Sequence, residues 1–126
     1  MTIKYQMKDI DSCSELLEQF KLFNGPKLLI DNSDYSPNQY KLILLESFTI
    51  GLINHSFGIP LQIETLDNNS TFLIGHEREI DCISSSKEKI LWKVLVNSVF
   101  IHFEIIPEEK LIIIIEETSV MALDFN

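Results

Sequence analysis

Apolar residues recur along this chain at two different periods. Near residues 13–23, Leu16, Leu17, Phe20 and Phe23 fall at helical spacing and give one apolar face. Ser12 with Glu15 forms the capping-box pattern, in which each side chain satisfies an otherwise free backbone donor. Gly25 and Pro26 stop this helix, and Lys27–Asp31 (KLLID) reads as a short strand before the loop DNSDYSPN. Ser36 as a cap and Pro37 at a first helical position then predict a second helix. Tyr40, Ile43, Leu44, Leu45, Phe48 and Leu52 cover more than half its circumference, and Gly58 and Pro60 end it. At roughly twenty residues it would span about 30 Å.

From Pro60 onward the period is two. Residues 61–66 (LQIETL), 71–74 and 79–83 read as strands, with a turn at 67–70 (DNNS) and a polar loop at SSSKE. Ile90, Trp92, Val94 and Val96 alternate on one strand, and Val99, Ile101, Phe103 and Ile105 on the next. Asn97-Ser98 between them predicts a two-residue hairpin. It would pair Val96 with Val99, Val94 with Ile101, Trp92 with Phe103 and Ile90 with Ile105, all apolar on one face. On the other face Lys93 would oppose His102, and Leu91 would oppose Glu104.

The stretch EEKLIIIIEET (residues 108–118) follows a tight connection at residues 107–109, so residues 111–117 should return antiparallel to 99–106. Its apolar side chains point both ways, which predicts a strand covered on both faces, with glutamates as gatekeepers at either end. The expected fold class is α+β. Two helices pack on one face of a mainly antiparallel β-sheet with a C-terminal β-meander, in a single domain spanning residues 1–126.

Composition removes several classes of function. The longest apolar run is residues 111–115, far short of the ~20 residues needed to span a bilayer. The opening MTIKYQMKDIDS has no apolar run of signal-peptide length, so the expected location is cytoplasmic. There Cys13 and Cys82 are reduced thiols, and the Asn-x-Ser/Thr matches at Asn68 and Asn69 carry no meaning. Ten Lys+Arg against nineteen Asp+Glu leave a formal charge of −9. That field repels nucleic acid and anionic membranes and attracts a basic protein; as a solvated surface it needs no partner at all.

Candidate chemistry is sparse. His76-Glu77-Arg78-Glu79 stops short of a HExxH zinc pattern because Ile80 stands where the second histidine belongs. No set of ligands has zinc-site spacing, so neither metal nor cofactor is expected. His55 falls near the end of the predicted second helix, where the dipole favours an imidazole. Cys82 lies in an apolar strand and residues 84–86 in a serine loop, outside any nucleophile elbow. The four glycines stand alone at 25, 51, 58 and 75, which excludes a glycine-rich phosphate loop. No catalytic residue is assigned and no enzyme activity is expected. A small enzyme using the His76–Cys82 segment is the alternative.

What remains is an uneven distribution of charge. Residues 104–126 carry Glu104, Glu108, Glu109, Glu116, Glu117 and Asp124 against Lys110 alone. Glu77, Glu79 and Asp81 alternate along one short segment, on one side of a strand. The candidate partner-binding residues are therefore Glu77, Glu79, Asp81, Glu104, Glu108, Glu109, Glu116 and Glu117, which can accept arginines from a basic partner.

In overall character (one acidic domain, no catalytic motif, no export signal) the chain resembles small bacterial toxin-immunity proteins of the contact-dependent growth-inhibition type. The resemblance implies a cytoplasmic inhibitor that binds a basic toxin domain, a nuclease above all, and occludes its active site. Acidic type III secretion chaperones are similar in composition. They usually end in a helix after the strands, whereas Val120 to Phe125 reads as partly β.

Overall fold

The structure is a computed structural model describing residues 4–32, 36–66 and 70–125. It divides into two compact units, one of Ile3–Ser56 with Ser85–Lys89, the other of Met1–Thr2, Phe57–Ser84 and Ile90–Asn126.

The first unit holds β1 (Gln6–Ile10), α1 (Cys13–Leu22), β2 (Lys27–Asp31), β3 (Gln39–Leu44) and β4 (Thr49–Asn54). Its sheet order is β1-β3-β4-β2, with β2 parallel to β4 and the other pairs antiparallel. Ser12 caps α1 as the sequence predicts, its Oγ accepting from the Glu15 amide at 3.2 Å. At the other end Lys27 Nζ donates to the carbonyls of Phe20 and Phe23, both at 3.0 Å, which satisfies orphan acceptors and suits the helix dipole. Leu16 packs with Ile10, Leu42 and Ile53, flanked by Phe20 and Leu29. Gly51 permits this approach: a Cβ there would lie 2.9 Å from Leu29 Cδ1 and 3.0 Å from Phe20 Cδ1.

The predicted second helix is instead the β3–β4 hairpin. Leu42 and Ile53 face α1, while Ile43, Ile50 and Leu52 are buried on the opposite side of the same two strands. A run apolar on both faces reads like a helix apolar over most of its circumference, so periodicity cannot separate the two. β-branched Ile43, Thr49, Ile50 and Ile53, with Gly51 among them, decide for strand. The turn lies at Glu46-Ser47, with the Leu45 amide donating to the Phe48 carbonyl at 2.9 Å. Ser36 is no helix cap, having φ 34°. The expectation of two helices on one sheet therefore gives way to three sheets and one α-helix among the described residues.

The second unit contains a four-stranded sheet, β5 (Gln62–Thr65), β6 (Thr71–His76), β7 (Glu79–Ser84) and β8 (Lys89–Leu95), in sequential order. The turn predicted at 67–70 falls, at 67–69, outside the described residues. A three-stranded antiparallel sheet follows: β9 (Phe100–Ile106), a 3-10 turn at Pro107–Glu109, β10 (Leu111–Glu116) and β11 (Val120–Asp124), in the order β11-β10-β9.

The predicted Asn97-Ser98 hairpin does not form, because β8 and β9 belong to different sheets. Val96 N donates to the Arg78 carbonyl and Phe100 N to the Glu77 carbonyl, each at 2.9 Å, so the chain crosses between sheets beside the β6–β7 turn. One core unites Leu73, Ile80, Cys82, Val96, Phe100, Phe103, Ile112 and Ile114. Matching apolar rows on consecutive strands serve a sheet-on-sheet core as well as a hairpin. Gly75 admits the Phe100 ring, whose Cζ would lie 2.2 Å from a Cβ at that position. Gln62 presents its amide to β9, donating to the Phe103 carbonyl and accepting from the Phe103 amide, both at 2.9 Å.

β10 returns antiparallel to β9 as expected, but it is not covered equally on both faces. Ile112, Ile114 and Glu116 are buried, whereas Leu111, Ile113 and Ile115 are half-buried. Among the described residues no helix is long and apolar enough to cross a membrane.

Candidate functional site

The outer face of the β9–β10–β11 sheet combines exposure with apolar character. Register places Ile106, Leu111 and Asp124 in one row, Glu104, Ile113 and Ala122 in the next, and His102, Ile115 and Val120 in the third. Leu111, Ile113 and Ile115 form a half-buried stripe along the central strand, while Val120 is 67% exposed and Ala122 is also exposed. Carboxylates surround the stripe. Glu104 and Asp124 lie exposed on the strands flanking it, and Glu108 and Glu109 are exposed on the 3-10 turn at one end. Glu117 is exposed just past the other end, its amide donating to the Val99 carbonyl at 2.8 Å. The one basic side chain in these three rows is His102, whose Nε2 lies 2.6 Å from Glu104 Oε1.

The second acidic region is buried. β6 and β7 pair through a two-residue turn, which brings His76 opposite Glu79. Strand alternation then sets Asp81 on the same face as both. His76 Nε2 lies 2.9 Å from Asp81 Oδ2 and 3.5 Å from Glu79 Oε2, and Lys93 Nζ from β8 lies 3.2 Å from the same Glu79 oxygen. His76, Glu79 and Asp81 are 3%, 5% and 0% exposed. Asp81 Oδ1 is buried without a hydrogen-bond partner among the described residues. The intervening turn holds Glu77 at φ 53°, a left-handed conformation that costs energy outside glycine.

Electrostatics bind the cluster together. Burial alone would depress His76, but the hydrogen bonds and charges of Asp81 and Glu79 outweigh it and raise the imidazole to about 9. Burial pushes both carboxyls up and His76 pulls both down. A side-chain hydrogen bond between the two carboxyls then separates them: Glu79, with Lys93 also beside it, settles at about 2, and Asp81, repelled further by the charge of Glu79, at about 6. Burial lowers Lys93 and the charges of Glu79 and Asp81 raise it, with a net upward shift. At neutral pH the cluster holds two cations and two anions, which is how such charge is tolerated away from water.

The eight acidic residues singled out in the sequence therefore separate. Glu104, Glu108, Glu109 and Glu117 are exposed, and Glu77 is half-buried in its turn. Glu79 and Asp81 are buried against His76, so they do not form an outward strip for a partner. Glu116 is buried too, 3.0 Å from the Ser98 hydroxyl and 3.3 Å from the Asn97 amide, where it fixes the segment linking β8 to β9. Within the His76–Cys82 segment, Cys82 is not brought to His76, since it points into the apolar core from the opposite face of β7. Sequence reasoning missed the His76–Asp81 pair. Its available signal was the His-x-x-Glu spacing across a two-residue turn, which puts the end residues opposite one another. No protein-family model matches this chain, and no curated protein or solved structure matches it either.

Proposed function

We propose that this chain is an inhibitor of the toxin-immunity kind, which binds a basic protein domain through the outer face of β9–β10–β11. The observation that carries this reading is the pairing of an apolar stripe (Leu111, Ile113, Ile115, Val120) with a rim of exposed carboxylates. Protein interfaces have this anatomy, with an apolar centre that loses water and a polar rim that sets orientation. A predominantly acidic rim, with Lys110 its one lysine, selects a basic partner. A nuclease fits, because its groove must be cationic to hold phosphates and can be filled by carboxylates instead. The site of action is the cytoplasm, where the toxin domain would meet its substrate. Glu104, Glu108, Glu109 and Glu117 are the charges that steer the encounter, and the stripe supplies the contact that persists afterwards.

The test is affinity capture from the native host, followed by reconstitution with the purified partner. Wild-type protein should recover a basic protein and suppress its nuclease activity at equimolar ratio. The E104K/E108K/E109K variant should associate more slowly, with a weaker dependence on salt, because steering is screened beyond ~8–10 Å. Recovery of no basic partner, or equal association by both proteins, overturns the proposal and leaves the acidity as a means of solubility.

A further inference from the structure

We propose that His76, Glu79 and Asp81 bind a divalent transition-metal ion, zinc being the ion the donor set suits best. One imidazole nitrogen and two carboxylate oxygens are ordinary zinc donors. One ligand atom from each residue lies within 4.8 Å of the others. The two separations measured from His76 Nε2, 2.9 Å to Asp81 and 3.5 Å to Glu79, bracket the edge of a tetrahedron with zinc-length bonds, about 3.3–3.4 Å. A metal would enter between the three groups once the Asp81 and Glu79 side chains turn to make room for zinc-length bonds. The β6–β7 turn that carries the ligands is itself held, by the amides of Phe100 and Val96 on the Glu77 and Arg78 carbonyls.

An independent observation points to an absent ligand. Asp81 is fully buried, yet its Oδ1 has no hydrogen-bond partner among the described residues. Buried carboxylate oxygens are as a rule paired, and one that is not marks a place where an ion or water can belong. Charge agrees as well. With a neutral imidazole the three ligands carry two negative charges, which one divalent cation balances. Lys93, whose Nζ lies 3.2 Å from Glu79 Oε2, is the cation that competes for the same carboxylates. Lys93 can give way, because its side chain is 37% exposed while those of His76 and Asp81 are at most 1% exposed. Binding then follows a balanced exchange: the metal takes the Nε2 lone pair, the Nε2 proton leaves to solvent, and Lys93 turns outward.

The experiment uses the purified chain after chelator treatment, titrated with zinc and separately with cobalt(II). One equivalent of zinc should bind with release of about one proton, read by calorimetry in buffers of different ionisation enthalpy. It should raise the melting temperature, and cobalt should give the visible bands of a low-coordinate ion. Lys93→Met removes the competing ammonium and should tighten zinc binding by about tenfold or more. Asp81→Asn and His76→Gln should abolish it. Those two buried variants can fail to fold, so the decisive measurements are on wild type and Lys93→Met, each checked by circular dichroism. If both are folded and neither binds zinc stoichiometrically, or if both bind it equally weakly, the cluster is an ion-pair network and the metal site is refuted.

Discussion

The two acidic regions of the second unit are built from the same residue types, yet they do opposite work. On the outer face of β9–β10–β11, Glu104, Glu108, Glu109 and Glu117 stand in solvent around an apolar stripe. On β7, Glu79 and Asp81 are buried beside His76 and Lys93. Exposed carboxylates cost the fold nothing and are free to act at a distance. Buried ones are tolerated only while a counter-charge or hydrogen bonds meet each, so they are tied to geometry and contribute little to long-range steering. What a glutamate does here is set by whether a cation from another strand meets it.

That contrast can be broken most violently at Asp81. Asp81→Ala leaves the imidazolium of His76 with less compensation in the interior and should lower unfolding free energy by about 3–5 kcal/mol, measured by urea denaturation. A variant within about 0.5 kcal/mol of wild type would place Asp81 among the surface acids after all.

pH provides the next largest effect, in protein kept metal-free with chelator. His76 is raised from 6.5 to about 9, so its stabilisation is complete below pH 6.5 and is lost as pH climbs through 9. Asp81 acts in the same sense only between 3.8 and about 6, and the contribution of Glu79 is lost only as pH falls from 4.5 toward 2. Between pH 6.5 and 9 the unfolding free energy from urea denaturation should therefore fall steadily, by an amount on the order of 3 kcal/mol. A flat profile would mean that His76 is not held by the two carboxyls.

Glu116 lies between the extremes, buried but neutralised by hydrogen bonds alone. Glu116→Ala removes the acceptor of the Asn97 amide and the Ser98 hydroxyl, leaving Ser98 bonded to Thr118, and should cost about 1–3 kcal/mol. Within the same strand, Ile114→Ala should cost about 2–5 kcal/mol and Ile113→Ala clearly less, since only Ile114 is fully buried. Equal losses at the two positions would show that the outer face is covered as thoroughly as the inner one. The smallest expected effect is on the rim: Glu104→Lys or Glu108→Lys should move stability by no more than about 0.5 kcal/mol in thermal melts.

Local signals in the sequence were reliable where one residue suffices to make them. Ser12 caps α1, KLLID is β2 with the bounds read for it, and residues 111–116 return antiparallel to β9. Readings failed where the answer depends on what lies across space. QYKLIL and TIGLIN are apolar on both sides, and only burial on two faces distinguishes a hairpin from a helix. The rows of Val94, Val96, Ile101 and Phe103 match one another in sequence, yet no hairpin forms: Val96 and Phe103 enter the core between the sheets while Ile101 is exposed. In EIDCIS the alternation correctly assigns Glu79 and Asp81 to one face, but nothing in the segment tells which face is dry. That is decided by His76 and by Lys93, which approaches from a strand that begins ten residues after Glu79.

The amide of Gln62 on the backbone of Phe103 has a consequence for life at high concentration. β9 is an edge strand, and its neighbour β10 carries four consecutive isoleucines, the composition from which cross-β fibrils grow. A second molecule seeking to extend this sheet would need the Phe103 amide and carbonyl as its docking rungs. Gln62 already occupies both, acting as a one-residue stopper in the ladder. The isoleucine run can thus stay beside an open sheet edge without templating its own copies.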